Sequence, residues 1–215
     1  MKKMTSQDLF NAIRDKIIHG EIPPGESVKE LDLVREFNVS RTPIREVLKK
    51  LETRGLLSYE KNKGMVVPIL ENQAIAELFV IREMLEGTAA ALAAKYATDE
   101  EISILKDMVE EDMTRVDDAA MLARTNKLFH DTINHIAHNS YLLKFYSLLN
   151  ESMLLLGKTS LTNPTRAQKT IKQHQEIVEA IEKRDADLAK TLAKEHVKSA
   201  YRARLRILLD REIQK

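Results

Sequence analysis

Cysteine and tryptophan are both missing from this chain of 215 residues. The first absence excludes disulfides and thiolate-bound zinc together. Aromatic residues of any kind make up only 5% of the chain. No apolar run approaches the ~20 residues needed to cross a bilayer, so no membrane partner is expected. Neither sign of charge dominates, since 34 Lys and Arg face 33 Asp and Glu. Internal repeats and low-complexity tracts are lacking too. The start, MKKMTSQDLF, has a basic pair but no apolar stretch behind it, so no secretion signal is expected and a cytoplasmic protein is the plain reading. What remains is a soluble, helix-rich, highly charged chain, long enough for one large domain or two small ones.

The near-neutral total conceals an asymmetry. Residues 1–67 hold 13 basic against 10 acidic side chains, and residues 40–64 alone hold seven against three. A local basic stripe on a neutral chain suggests a polyanion footprint, although such runs are often only solvated faces. The same region reads as three helices and a hairpin. Residues 5–19 carry an apolar face of Leu9, Phe10, Ile13 and Ile17, with a Thr/Ser cap before them and Gly20 beyond. EIPPGE is a turn. A short helix spans about 28–37 and ends at Asn38, which suits a left-handed turn. Ser40 can cap a third helix running to Arg54. LLSYEKNKGMVV then reads as two short strands around Lys61-Asn62-Lys63-Gly64. The sum describes a winged helix-turn-helix.

In VSRTPIREVLKKLETRGLL, Ile44, Val47, Leu48 and Leu51 recur at helical spacing and should face a core. Arg41, Arg45 and Lys49 form the opposite stripe. Long basic side chains near a helix N-terminus suit the major groove, where arginine pairs bidentately with guanine. Ser40 and Thr42 stand where short hydroxyls meet the DNA backbone. The run PGESVKELDLVREFNVSRTPIREVLKKLETRGLL, with the KNKG tip, resembles the GntR family of bacterial regulators over residues 5–67. The resemblance implies DNA contacts by Arg41 and Arg45, helped by Thr42 and by Lys63 and Gly64 at the wing. Leu31 stands where some members carry a further DNA-contacting arginine.

From residue 72 onward only helices are expected, at 72–97, 99–117, 118–138, 140–158, 164–184 and 186–211. The fourth, YLLKFYSLLNESMLLL, is apolar nearly all round, which predicts a helix buried inside the bundle. Three histidines lie on inward stripes of three different helices. His130 aligns with Leu122, Asn126, Phe129 and Ile133; His174 with Ala167, Ile171, Val178 and Ile181; His196 with Ala189, Ala193 and Ala200. Each alone reads as a hydrogen-bonded core histidine, whereas three converging imidazoles suit zinc, nickel and similar ions. His135 lies about 140° around its helix from His130 and should face outward; His19 and His138 precede helix-ending positions and receive no role.

IREMLEGTAAALAA, FHDTINHIAHNSYLL and HQEIVEAI followed by EH resemble the all-helical FCD ligand-binding domain of the FadR subfamily, and six helices suggest its VanR-like group. That resemblance implies a divalent metal held by His130, His174 and His196. The subfamily's fourth ligand is usually an aspartate, but here its position is Asn126, an amide that brings no charge. It also implies that Arg82, in an R-x-x-L-E pattern, lines an effector pocket, where a guanidinium would hold a carboxylate. By spacing alone, Arg82 is equally an i, i+4 salt bridge to Glu86.

The expected fold is mostly α, an N-terminal winged helix-turn-helix (1–68), a linker (69–72) and a C-terminal antiparallel helical bundle (73–215). The expected function is that of a homodimeric, metabolite-responsive transcriptional regulator rather than an enzyme. It would bind palindromic operator DNA and take a small organic acid, with zinc or nickel, in the bundle. Two alternatives remain open on the residues: a sensor whose effector is the ion itself, and a metal-dependent helical enzyme, although no HExxH-like pairing offers a general base.

Overall fold

Packing divides the chain into two units in the computed structural model, which describes residues 4–157 and 160–213. The first comprises Met1–Ile75 together with Leu148–Gly157; the second comprises Ala76–Ser147 and Lys158–Lys215.

Helix α1 (Ser6–Ile18) opens the first unit on a reciprocal cap, Thr5 accepting from the Asp8 amide while the Asp8 carboxylate accepts from the Thr5 amide. Its buried face of Leu9, Phe10, Ile13 and Ile17 packs in one core with Ile44, Val47, Leu48 and Leu51. Those four belong to α3 (Arg41–Thr53), as their spacing predicts. Between them α2 (Glu30–Phe37) ends at Asn38, whose φ of 50° and ψ of 48° are left-handed. Strands β1 (Ser58–Glu60) and β2 (Gly64–Val66) pair antiparallel with Tyr59 opposite Met65. The Ser27 hydroxyl donates to the Lys63 carbonyl at 2.8 Å and so ties the wing tip to the segment before α2. The winged helix-turn-helix is present with the expected elements in the expected order.

One expectation needs correcting at the start of α3. Ser40 occupies the N-cap position, but its side chain bonds no helix amide. The backbone reaches the extended cap geometry, φ −73° and ψ 168°, without that bond.

The second unit is built from most of α4 (Asn72–Tyr96), from α5 (Asp99–Thr114) and α6 (Ala119–Ile136), from the first part of α7 (Ser140–Leu154), and from α8 (Pro164–Glu182) and α9 (Ala186–Ile213), with a 3-10 turn at Ser160–Thr162. These helices lie close to the six expected spans; the expected end of the fourth at residue 158 falls outside the described residues. Thr98 and Glu101 form a second capping box, and Asn163 caps α8 ahead of Pro164. Small residues bring α4 and α9 together. Ala89, Ala90, Ala93 and Ala94 share one core with Ala189 and Ala193, and a Cβ on Gly87 would stand 2.8 Å from Lys194 Cγ and 3.4 Å from the Lys190 carbonyl oxygen. That approach sets the neighbour Glu86 in the interior with His196.

Helix α7 departs from its expected burial. Leu142, Tyr146 and Leu149 are buried, but Tyr141, Phe145 and Leu148 are at least half exposed. Apolar residues on every face do not distinguish a helix surrounded by its own chain from one with an open apolar stripe, and α7 is the second kind. Its last turns, within Leu148–Gly157, belong to the winged-helix unit. There Leu155 packs on the core, and Glu151 pairs with Arg54, the C-cap of α3.

Because Asn38 sets the turn that delivers α3, its conformation is testable. Asn38→Val should lower the unfolding free energy by about 1–2 kcal/mol, since a β-branched side chain resists the left-handed region. Asn38→Gly should cost far less. Urea denaturation of the two variants checks the order.

Candidate functional site

The first unit presents one basic surface. Ser40, Arg41, Thr42, Arg45 and Lys49 are all exposed along α3, and Lys63 is exposed at the wing beside Gly64, whose φ of 78° lets the tip turn. Arg45, Lys49, Lys63 and Gly64 line a common cleft of about 590 Å³ between α3 and the wing. Two basic residues not singled out from the sequence, Lys29 and Arg35, line it too. Arg35 stands one turn beyond the exposed Leu31, so the face where Leu31 carries no charge still has a guanidinium. Signs of that placement were present in the helical spacing from Leu31.

Four cations of this surface have an acidic neighbour. Arg45 Nε donates to Glu30 Oε2 at 2.7 Å, and Arg41 Nε approaches the same carboxylate at 4.0 Å. Lys49 pairs with Glu52 at 2.8 Å and Lys63 with Glu60 at 3.0 Å. These exposed pairs are weak, so a phosphate or a base edge can replace the acid at small cost. Glu30 keeps two arginines of the recognition helix aligned.

In the second unit His130, His174 and His196 come together from α6, α8 and α9, all buried. One ligand nitrogen from each lies within 4.8 Å of the others, and His130 Nε2 faces His196 Nε2 at 3.2 Å. Two imidazole nitrogens bound to one zinc at about 2.1 Å, with an angle of about 90–110° between them, stand about 3.0–3.4 Å apart. The orienting contacts are of the kind a metal-binding histidine uses. His130 Nδ1 meets Glu86 Oε2 at 3.0 Å, and His196 Nδ1 meets Gln173 Oε1 at 3.3 Å. The His174 ring stacks on Phe129 with 3.9 Å between centroids, and neither of its nitrogens has a hydrogen-bond partner among the described residues. A buried, orphaned imidazole aimed at two others fits a cation. Asn126 stands one turn before His130, half-buried, and its amide makes no hydrogen bond among the described residues. His135 is exposed, as its spacing predicts, and His19 and His138 lie exposed at helix ends, the last with φ of 49°.

Glu86 was not singled out as a site residue, yet it is the hub. Arg82 Nε donates to its Oε1 at 2.6 Å while its Oε2 serves His130. Burial alone would raise the Glu86 carboxyl, but Arg82, then His130, hold it well below the usual carboxylate range. The sequence signal was only the i, i+4 spacing from Arg82. A second half-buried guanidinium, Arg166 on α8, has no carboxylate within ion-pairing distance among the described residues. Its Nη1 donates to Gln173 Oε1 at 3.3 Å and its buried Nε has no partner there. Burial, followed by Arg82, pulls its pKa down to about 10. Burial also depresses His174 and His196 well below their ordinary value, reinforced for His174 by His130, Arg166 and Arg82 and for His196 by His174 and His130.

A winged helix with a basic recognition face, joined to a helical unit with a buried polar centre, defines a DNA-binding regulator. Comparison with known proteins agrees. Residues 5–67 match the bacterial regulatory proteins of the gntR family, and residues 77–199 match the FCD domain. The chain is 30% identical over 184 residues to the uncharacterised HTH-type transcriptional regulator YdhC of Bacillus subtilis (strain 168), covering 84% of this chain and 82% of that one. It is 29% identical to the probable D-xylose utilization operon transcriptional repressor of Paenarthrobacter nicotinovorans, covering 91% and 88%. The solved structure of E. coli McbR/YncC superposes with a TM-score of 0.74 at 21% identity, covering 97% of this chain and all of that one, which speaks for the fold. The protein belongs to the GntR family of transcriptional regulators and carries an FCD domain. These relatives are transcriptional regulators rather than metal-dependent helical enzymes. Among the described residues no helix is long and apolar enough to cross a membrane.

The depressed histidines make a prediction for the metal-free protein. Below their unperturbed value near ~6.5 the unfolded chain binds protons that folded His174 and His196 refuse, so stability falls as pH drops through that value. Chelator-treated protein should unfold at lower guanidinium concentration at about pH 5.5 than at about pH 7.5. The difference should shrink in His174→Gln.

Proposed function

We propose that this regulator binds a palindromic operator as a homodimer and responds to a small organic acid held in its helical unit together with a divalent cation, zinc or nickel. The observation that carries the reading is the buried three-histidine cluster, with His174 unpartnered. His130, His174 and His196 would hold the ion, with Asn126 adding at most a weak oxygen. When bound, the ion supplies uncompensated positive charge for an anion. Arg82 offers a second hold on a carboxylate, because its bond to Glu86 runs through Nε and leaves the outer edge of the guanidinium for the bidentate grip that arginine favours.

On the DNA side, Arg41 and Arg45 read bases near the start of α3. Ser40, Thr42 and Lys49 meet phosphates, and Lys63 and Gly64 bring the wing to the backbone. The Ser40 hydroxyl, which makes no bond to cap the helix, supports its share of this. Two recognition helices in a dimer would meet half-sites about one helical turn apart. The exposed stripe of Tyr141, Phe145 and Leu148 on α7 supports self-association, since an open apolar face of this kind favours a partner. Helix α7 also offers a route for the response. Its first part belongs to the helical unit and its last turns to the winged-helix unit, where Glu151 grips the end of the recognition helix through Arg54. Effector binding would then bias how the winged helices are presented.

Two experiments test the reading. In fluorescence anisotropy, Arg45→Ala should weaken binding to an inverted-repeat operator roughly ten-fold or more and relax base preference, while Lys63→Ala weakens all sequences alike. Equal small losses for Arg45→Ala on operator and random DNA remove it from base readout. For the centre, metal analysis after loading with zinc or nickel should find one ion per chain in the wild type and loss in His174→Ala. A wild type that stays metal-free leaves the histidines as plain hydrogen-bonding groups. A DNA response to the ion alone, with no response to added acids, would make the ion itself the effector.

A further inference from the structure

A second polar cavity lies in the helical unit, apart from the three histidines. It has a volume of about 500 Å³ and sits where the start of α8 and the 3-10 turn face the last turns of α9. Arg166, Lys169, Arg202 and Arg206 line it, and Asp210 is the only acid in the lining among the described residues. None of the four cations has a carboxylate within ion-pairing distance among the described residues. By contrast, Arg41, Arg45, Lys49 and Lys63 on the DNA-facing surface are each held near an acid. The placement is also regular. Ser199, Arg206 and Asp210 follow His196 down one side of α9 at helical spacing, with Arg202 flanking, and the buried Ser199 is part of the lining. Arg166 sits deepest, its Nε buried without a partner.

We propose that this cavity is an anion site that takes a phosphate group, either free or as the phosphomonoester of a small metabolite. Four like charges gathered with one acid in the same lining still repel one another, and the arrangement is relieved by a ligand that brings more than one negative charge. A phosphate carries about −1.5 to −2 near neutral pH, against −1 for a carboxylate. Its oxygens match the fork of arginine, of which three are present. The volume is in the range of small-molecule sites, with room for a sugar-sized body beyond the phosphate. The site stands independently of the metal reading, because three of its four cations, Lys169, Arg202 and Arg206, are exposed and lie away from the histidine contacts.

Isothermal titration calorimetry of the full chain at constant low ionic strength tests this, with orthophosphate and glucose 6-phosphate as titrants and glucose as the neutral control. One saturable site per chain is expected for both anions and none for glucose. Arg202→Gln combined with Arg206→Gln should weaken binding at least about ten-fold, as loss of two charge-assisted contacts implies. Lys169→Gln, tested separately, should weaken it less. His174→Ala should leave it unchanged. All these positions except His174 are exposed, and thermal melting of each variant verifies folding. Tighter binding of glucose 6-phosphate supports the site with a phosphomonoester as its occupant, and tighter orthophosphate supports it with free phosphate. Absence of saturable heat up to roughly 10 mM of either anion, well beyond millimolar affinity, overturns the proposal. So does binding that survives the double substitution in folded protein, or binding that disappears in His174→Ala, which would put the ligand at the histidines.

Discussion

The helical unit is organised around one buried carboxylate. Glu86 is 3% exposed, and an ionised acid at that depth requires partners on both oxygens. Arg82 takes one and His130 the other. The consequences spread outward from there. Fixing His130 through Nδ1 turns its Nε2 toward His196, and Gln173 fixes His196 in the same way from the other side. His174 needs no such anchor, because stacking on Phe129 sets its plane. The close approach of α4 and α9 at Gly87, one residue along, permits this geometry. A side chain there would push α9 away and carry His196 with it. Backbone packing and polar pairing therefore specify the same point.

The two basic surfaces differ in how their charge is handled, and the difference matches what each has to do. On the recognition helix and the wing the cations rest against Glu30, Glu52 and Glu60, acids near the surface that hold the side chains ready and release them to a polyanion. Salt pairs at such exposure add little stability, so their value lies in alignment and in restraining indiscriminate attraction. Arg166 is treated otherwise. It is drawn inward, lacks an acid among the described residues and bonds only the neutral Gln173. A charge in that setting would be stabilised by an anion arriving from outside.

Much of this was legible in the sequence, for physical reasons. Local rules governed the winged helix, where caps, the left-handed Asn38 and the alternation of Ile44, Val47, Leu48 and Leu51 with Arg41, Arg45 and Lys49 need only one helix to be read. The inward stripes of His130, His174 and His196 were legible by the same periodicity. What failed depended on neighbours distant in sequence. Glu86 looked like half of a local salt bridge because its second partner lies on another helix. Arg166 carried no sign of burial, since depth follows from α8 meeting α9. The sequence of α7 says that it is apolar all round, but not that Tyr141 and Phe145 would be left open. Ser40 could have capped α3, and its hydroxyl is unused there because composition does not fix a side-chain rotamer.

The replacement of aspartate by Asn126 gains a meaning from the charges around it. The Glu86 carboxylate is already matched by Arg82, so it orients His130 without leaving surplus negative charge at the centre. Asn126 adds none. A dication held by three neutral imidazoles would keep nearly its full charge, with Arg82 and Arg166 adding to the field that already depresses His174. Such a centre would hold an ion less firmly than one with an anionic fourth ligand, because nothing in direct contact offsets its charge. By the same reasoning it would draw an anionic effector more strongly, and the effector's own carboxylate would supply the negative ligand that the protein omits. Ion and acid would then stabilise each other, so that occupancy by one raises the affinity for the other by an equal factor. On the proposed reading, the neutral residue at position 126 would leave the effector to complete the charge balance of the site.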